Sequence, residues 1–169
     1  DRVAGGNDDG RRRSRFARKV AGKKTEVQVL AANVDTVLLV SSLNREFNLR
    51  RIERYLTLVW ESGARPVVVL NKTDLCDDPA PYRHQAEGVA FGLPVHLTSA
   101  LTGDGLAALQ PYLRPGQTVA LLGSSGVGKS TLVNRLLGEE RLATRPVREA
   151  DDRGRHTTTH RELHVLPGG

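Results

Sequence analysis

Sulfur is nearly missing from this sequence: among 169 residues there is one cysteine, Cys76, and no methionine. A lone thiol permits no internal disulfide, and without further Cys there is no Cys/His cluster to which a zinc site could be assigned. A reducing, cytoplasmic setting is the expectation. Long hydrophobic runs are missing too. No apolar stretch approaches the roughly 18–20 residues of a membrane span, and the charged N-terminus lacks the apolar centre of a secretion signal. No membrane partner is expected. Aromatic residues make up only 4% of the chain, too few for a base-stacking sheet. Any contact with RNA should therefore run mainly through phosphates.

Charge of one sign is concentrated at one end. Residues 1–24 hold nine Arg and Lys (Arg2, Arg11, Arg12, Arg13, Arg15, Arg18, Lys19, Lys23 and Lys24) against three Asp, an excess of six that equals the net charge of the whole chain. A basic arm on an otherwise neutral domain suggests a polyanionic partner, and nucleic acid is the usual one. Arg11, Arg12, Arg13, Arg15, Arg18 and Lys19 are the candidate RNA contacts. The alternative is a solvated tail.

Beyond the arm, short apolar runs alternate with amphipathic ones. VQVLAAN and TVLLV (36–40) read as strands, and PVVVL (66–70) and TVALL (118–122) have the two-sided apolar character of buried parallel strands. LPVHLTS supplies another short strand at 94–98. Between them, residues 48–63 place Leu49, Ile52, Tyr55, Leu56 and Val59 at helical spacing before Gly63. Helical patterns also cover 79–92, 103–113 and 131–137. This alternation predicts an α/β fold, a parallel sheet covered on both faces.

Two loops in this framework carry chemistry. Gly123-Ser124-Ser125-Gly126-Val127-Gly128-Lys129-Ser130 matches G-x-x-x-x-G-K-[ST] between a strand and a helix. The glycines let successive N–H groups turn toward phosphate oxygens, and the following helix, with Thr131 in its first turn, adds a positive end. Lys129 would reach the β- and γ-phosphates, and the Ser130 hydroxyl would ligate Mg²⁺. The second loop, Asn71-Lys72-Thr73-Asp74, follows PVVVL at the carboxyl edge, where such sheets bind ligands. The Asp74 carboxylate can accept from guanine N1–H and the 2-amino group, neither of which adenine offers. Asn71 can tie this loop to the phosphate loop, and the Lys72 stem can cover a face of the base. One βα unit later, Ser99-Ala100 follows Thr98, with the Ala100 N–H suited to guanine O6. Together these residues predict GTP and GDP as ligands.

The polar stretch 143–159 has the character of a switch loop. A threonine there would close on Mg²⁺ and the γ-phosphate. Thr158 is the first choice and Thr157 the second. Arg153, Arg155 and His156 could meet phosphate, RNA or an attacking water, although a solvent-facing role for His156 is equally consistent with the sequence.

The order of motifs, guanine loop before phosphate loop, resembles that of the circularly permuted GTPases. AANVD (31–35), RIERYL (51–56), LNKTDL (70–75), GSSGVGKSTLVN (123–134) and GRHTTTH (154–160) resemble in particular the bacterial ribosome small-subunit-dependent GTPase (RsgA) family. The resemblance implies a P-loop GTPase-type three-layer fold with permuted motif order, GTP hydrolysis in late maturation of the small ribosomal subunit, binding to its ribosomal RNA, and stimulation by the ribosome. It also implies a catalytic role for His156 beside Lys129. On this reading residues 1–30 are a basic arm ending an OB-fold, and 31–169 are a permuted GTPase domain, expected as a monomer. The family's zinc belongs to a C-terminal domain with no counterpart here. The chain is expected to be a fragment that stops before the family's D-T-P-G motif, retaining nucleotide binding better than hydrolysis and leaving a strand at 160–166 without its neighbour. Two alternatives remain: another permuted GTPase of ribosome assembly, or an RNA-binding module that nucleotide locks without significant hydrolysis.

Overall fold

The computed structural model describes residues 15–19, 27–44, 47–138 and 164–166, with 15–19 and 27–32 described in backbone only. The chain opens with β1 (Arg15–Lys19), which pairs antiparallel with β2 (Val27–Ala32) and shifts register between Phe16 and Ala17. Part of the expected basic arm is therefore a strand, its backbone groups satisfied by the β-prone run after it. In this pairing Ala31 and Ala32 stand opposite Phe16 and Arg15. Two paired strands do not by themselves define an OB-fold.

Among the described residues the main sheet has four parallel strands in the order β5-β4-β3-β6, comprising β3 (Thr36–Ser42), β4 (Arg65–Asn71), β5 (Val95–Leu97) and β6 (Val119–Leu122). Its central strands are apolar on both faces because both faces are covered. Val37, Leu39, Val68 and Leu70 pack with Ile52, Leu56 and Val59 of α1 (Leu49–Ser62) and Ala86 and Ala90 of α2 (Ala80–Ala90). The alternate residues Leu38, Val40, Val67 and Val69 pack with Leu109 and with Leu132 of α3 (Lys129–Leu137). Fully burying each such side chain contributes about 1.5–3 kcal/mol, so the period of two in these runs decides the three-layer arrangement.

Local signals set the helix ends. The Asn48 side chain accepts the Arg51 N–H at 3.0 Å and starts α1, and Gly63, at φ 82°, ends it. Asp35 fixes the register of β6 beside β3, its Oδ2 accepting the Thr118 N–H at 2.8 Å.

Two expectations need correction. The helical pattern at 103–113 becomes a 3₁₀ helix over Leu106–Tyr112. Pro111 has no N–H to donate to an α-helical ladder, and the short tight turn follows from that. The expected strand at 160–166 is not one where it is described: His164–Leu166 have no regular structure and pair with no strand. No helix among the described residues is long and apolar enough to cross a membrane.

The strand order positions the site. From β3 the chain moves outward through β4 to β5, then returns past β3 to place β6 on its other side. The sheet thus reverses direction between β3 and β6. The crevice outside the carboxyl ends of strands at such a reversal is where open α/β sheets bind ligands.

Candidate functional site

Both predicted loops leave the carboxyl end of the sheet, 71–74 from β4 and 123–128 from β6, with β3 between the two strands. The loop after β4 begins with a residue in an unusual conformation. Lys72 is left-handed, at φ 67° and ψ 40°, which turns the chain out of the strand into a short 3₁₀ helix, Thr73–Leu75. Such a conformation costs roughly 1–2 kcal/mol in a residue with a Cβ, and hydrogen bonds from Thr73 N–H to the Thr98 carbonyl (3.2 Å) and from Leu75 N–H to the Lys72 carbonyl (3.0 Å) hold it.

Asn71 joins three segments. It is 1% exposed, and its Nδ2 donates to the Val127 carbonyl of the phosphate loop at 2.9 Å. Its Oδ1 accepts from the Ala100 N–H at 3.0 Å and from the Thr98 hydroxyl at 3.2 Å. A buried amide satisfied on both ends holds the loops rigidly in one arrangement. The expected tie to the phosphate loop is present. The Ala100 N–H, expected to face guanine O6, is donated to Asn71 in this structure.

Ser99, expected to meet the base, acts on Asp74. Its fully buried hydroxyl donates to Asp74 Oδ1 at 2.5 Å and accepts the Thr102 N–H at 3.1 Å. Asp74 itself is exposed, so its carboxylate is both aimed and accessible. That suits an acceptor which must meet two N–H groups of a ligand.

In the phosphate loop, Lys129 Nζ donates to the carbonyls of Gly123 and Ser124, both at 2.7 Å. An ammonium has three donors. Two brace the loop, which leaves the third N–H and the full charge for an anion. Burial lowers the Lys129 pKa below the usual lysine value. Two glycines are required by close approach. A Cβ on Gly123 would lie 2.3 Å from the Val40 carbonyl oxygen. At Gly128, with φ +97°, a Cβ would lie 2.4 Å from Asn71 Nδ2 and 3.9 Å from Lys72 Cε. The Lys72 stem therefore runs beside the phosphate loop. Val127 contributes its carbonyl to Asn71 and its side chain to the core. Ser125 and Gly126 are exposed, as is Ser130 at the start of α3, with Thr131 half-buried after it.

Three contributors lack a local sequence signal of this role. Thr98 supports Asn71, as above. Arg51 of α1 donates to the Ser124 hydroxyl at 2.8 Å. Arg135 of α3 donates through Nε to the Ala100 carbonyl at 3.0 Å and through a terminal nitrogen to the Leu101 carbonyl. Each is recognisable only once distant segments are brought together.

Some candidates lie outside what is described. Arg11, Arg12, Arg13, Arg153, Arg155, His156, Thr157 and Thr158 are not among the described residues, and of Arg15, Arg18 and Lys19 only the backbone in β1 is described. Among the described residues no group of three or more His, Cys, Asp and Glu could hold a metal ion. The donors present nevertheless fit Mg²⁺, which takes few protein ligands and keeps several waters. The exposed Ser130 hydroxyl stands next to Lys129 at the positive end of α3.

Comparison with known proteins shows the family and the fold. Residues 10–169 match the RsgA GTPase family. The chain is 58% identical over 158 residues to the small ribosomal subunit biogenesis GTPase RsgA of Opitutus terrae, covering 94% of this chain and 43% of that protein. It is 52% identical to RsgA 2 of Lactiplantibacillus plantarum, covering 94% of this chain and 45% of that one. The chain thus spans less than half the length of these relatives. Among solved structures it is similar to YjeQ from Thermotoga maritima, with a TM-score of 0.56 and 34% identity over 64% of this chain and 44% of that one. It also shares the fold of YloQ, a circularly permuted GTPase, with a TM-score of 0.53, 24% identity, and coverage of 69% of this chain and 46% of that one.

Proposed function

The chain belongs to the RsgA GTPase family, and from that premise we propose that it binds GTP and GDP, hydrolyses GTP to GDP and phosphate, and serves maturation of the small ribosomal subunit. The observation that carries the proposal is the buried Asn71. One side chain fastens the phosphate loop, the base-reading loop and the Thr98–Ala100 segment to one another.

At the site these segments form, each group has a separate task. The backbone N–H groups of 123–130 and the positive end of α3 receive the phosphates, and Lys129 neutralises their charge from a braced position. Asp74, held by Ser99, reads the guanine N1–H and 2-amino group. Adenine offers neither donor, so that carboxylate would have no partner on the base and adenine is disfavoured. Ser130, with Thr158, would hold Mg²⁺, which screens the phosphate charge when bound. Hydrolysis needs little covalent chemistry from the protein, since phosphoryl transfer is accelerated mainly by positioning and charge neutralisation. His156 is the candidate for orienting the attacking water.

The partner is the small subunit and its ribosomal RNA, approached through Arg11, Arg12, Arg13, Arg15, Arg18 and Lys19 by phosphate contacts. The protein works as a cytoplasmic monomer, and the ribosome accelerates its turnover.

The test uses full-length protein. Fluorescent GDP should be displaced by GTP and not by ATP, and turnover should rise when purified small subunits are added. Displacement by ATP as effective as by GTP would overturn the base assignment. Stimulation by large subunits alone would point to another permuted GTPase of ribosome assembly. Silence with either subunit would mark a nucleotide-locked RNA-binding module.

A further inference from the structure

We propose that Arg135 is a positioning residue for guanine selectivity, anchoring the base-reading side of the pocket from the helix that grows out of the phosphate loop. The inference rests on the nucleotide site proposed above.

Arg135 stands in the last turn of α3. An arginine there commonly serves the final carbonyls of its own helix. This one reaches across to another segment, with Nε donating to the Ala100 carbonyl at 3.0 Å and a terminal nitrogen donating to the Leu101 carbonyl. The donors of a guanidinium are fixed in one plane, so two consecutive carbonyls bound to it have both their position and their tilt defined. The remaining polar group of Ala100, its N–H, is held by Asn71 Oδ1 at 3.0 Å. The segment is thus gripped from the phosphate-loop helix on one side and from β4 on the other.

What this grip aims is the residue just before it. Ser99 donates to Asp74 Oδ1 at 2.5 Å and accepts the Thr102 N–H at 3.1 Å, so the turn over 99–102 sets where the Ser99 hydroxyl points. Asp74 is exposed, and Ser99 is its hydrogen-bond donor among the described residues. Displacement of the 100–101 carbonyls therefore passes to Ser99 and from Ser99 to the carboxylate. Hydrogen bonds weaken steeply with misalignment, and a carboxylate that must meet two N–H groups at once loses selectivity before the phosphate contacts are disturbed. The clasp also answers a need created by the chain order. The base-reading segments precede the phosphate loop, and Arg135 reaches back 35 positions to fasten them to it.

The test measures nucleotide binding by the full-length protein carrying Arg135→Ala, Arg135→Lys or Arg135→Gln, by displacement of fluorescent GDP with GDP, IDP and ADP. IDP lacks the 2-amino group and so depends less on the aim of Asp74. Arg135→Ala should lower GDP affinity about tenfold and IDP affinity about twofold, shrinking the preference for GDP over IDP about fivefold. Arg135→Lys, which can reach one carbonyl, should recover part of that preference. Melting of the nucleotide-free protein should stay close to wild type. Equal loss for GDP and IDP, or no loss for either, overturns the proposal. If the Ala variant does not fold, the same GDP-to-IDP ratio in the Lys and Gln variants decides, with an unchanged ratio in both counting against it. Wild-type protein that binds ADP as well as GDP would instead refute the nucleotide site itself.

Discussion

Replacing Asn71 with alanine should damage the fold and the site together, by an amount that follows from the groups left behind. The side chain is 1% exposed and makes three hydrogen bonds. Its removal orphans the Val127 carbonyl, the Ala100 N–H and the Thr98 hydroxyl. The hydroxyl can rotate to another acceptor and counts least. The two backbone groups cannot, and each costs about 1–3 kcal/mol when desolvated and unpaired. The expected loss is therefore about 3 kcal/mol, or a fall in Tm of roughly 6–12 °C for a domain of this size. Asn71→Asp should be worse, although it keeps both acceptor contacts. It replaces the donor facing the Val127 carbonyl with a buried negative charge, and an unpaired buried charge costs more than a missing dipole. The assay is urea denaturation of the nucleotide-free full-length protein, followed by GDP titration of the same preparations. A loss below about 1 kcal/mol for Asn71→Ala, with GDP affinity intact, would refute the claim that one amide holds the three segments together.

Gly128→Ala should cut GDP affinity at least about tenfold in a fluorescent-nucleotide titration, because its Cβ would press on Asn71 Nδ2 at 2.4 Å from a backbone at φ +97°. Arg51→Ala and Ser124→Ala should each weaken GDP binding by a similar, modest factor of roughly three- to fivefold, and the double variant no further than either single one. Additive losses in that cycle would show that the 2.8 Å bond between them is not the agent. Because burial lowers the Lys129 pKa, GDP affinity should be full at neutral pH. It should then fall on the alkaline side sooner than an ordinary lysine would allow, as the ammonium is lost. Stability of the nucleotide-free protein runs the other way. The folded-state pKa lies below the unfolded one, so burial penalises the charged form, and this penalty is relieved as pH rises through the folded pKa. A GDP titration series from neutral to alkaline pH, compared with Lys129→Arg, checks the sign.

Much of the fold was legible because its signals are local. Both faces of PVVVL had to be covered, whatever covered them, and Gly63 ended a helix without regard to its neighbours. Where the expectation failed, the missing information was also physical. The pattern at 103–113 put Leu109 in the core, but Ala107 is exposed, because Pro111 lowered the hydrogen-bonding capacity of the segment and a 3₁₀ helix formed. Of the strand expected at 160–166, His164–Leu166 are described and have no regular secondary structure. His156 and Thr158 lie outside the described residues, so their roles rest on the sequence.

The sequence by itself determined the chemistry of the site: a glycine-rich turn before a helix that can hold phosphate, and a carboxylate after a buried strand that can read guanine. Those properties reside in a few consecutive residues and their backbone freedom. Only the tertiary structure decided which residues make the two loops one pocket. Asn71 meets Val127 across 56 positions, Arg51 meets Ser124 across 73, and Arg135 meets Ala100 across 35. Such bonds depend on strand order and register, which emerge when both faces of the sheet are buried at once and which no short stretch of sequence contains.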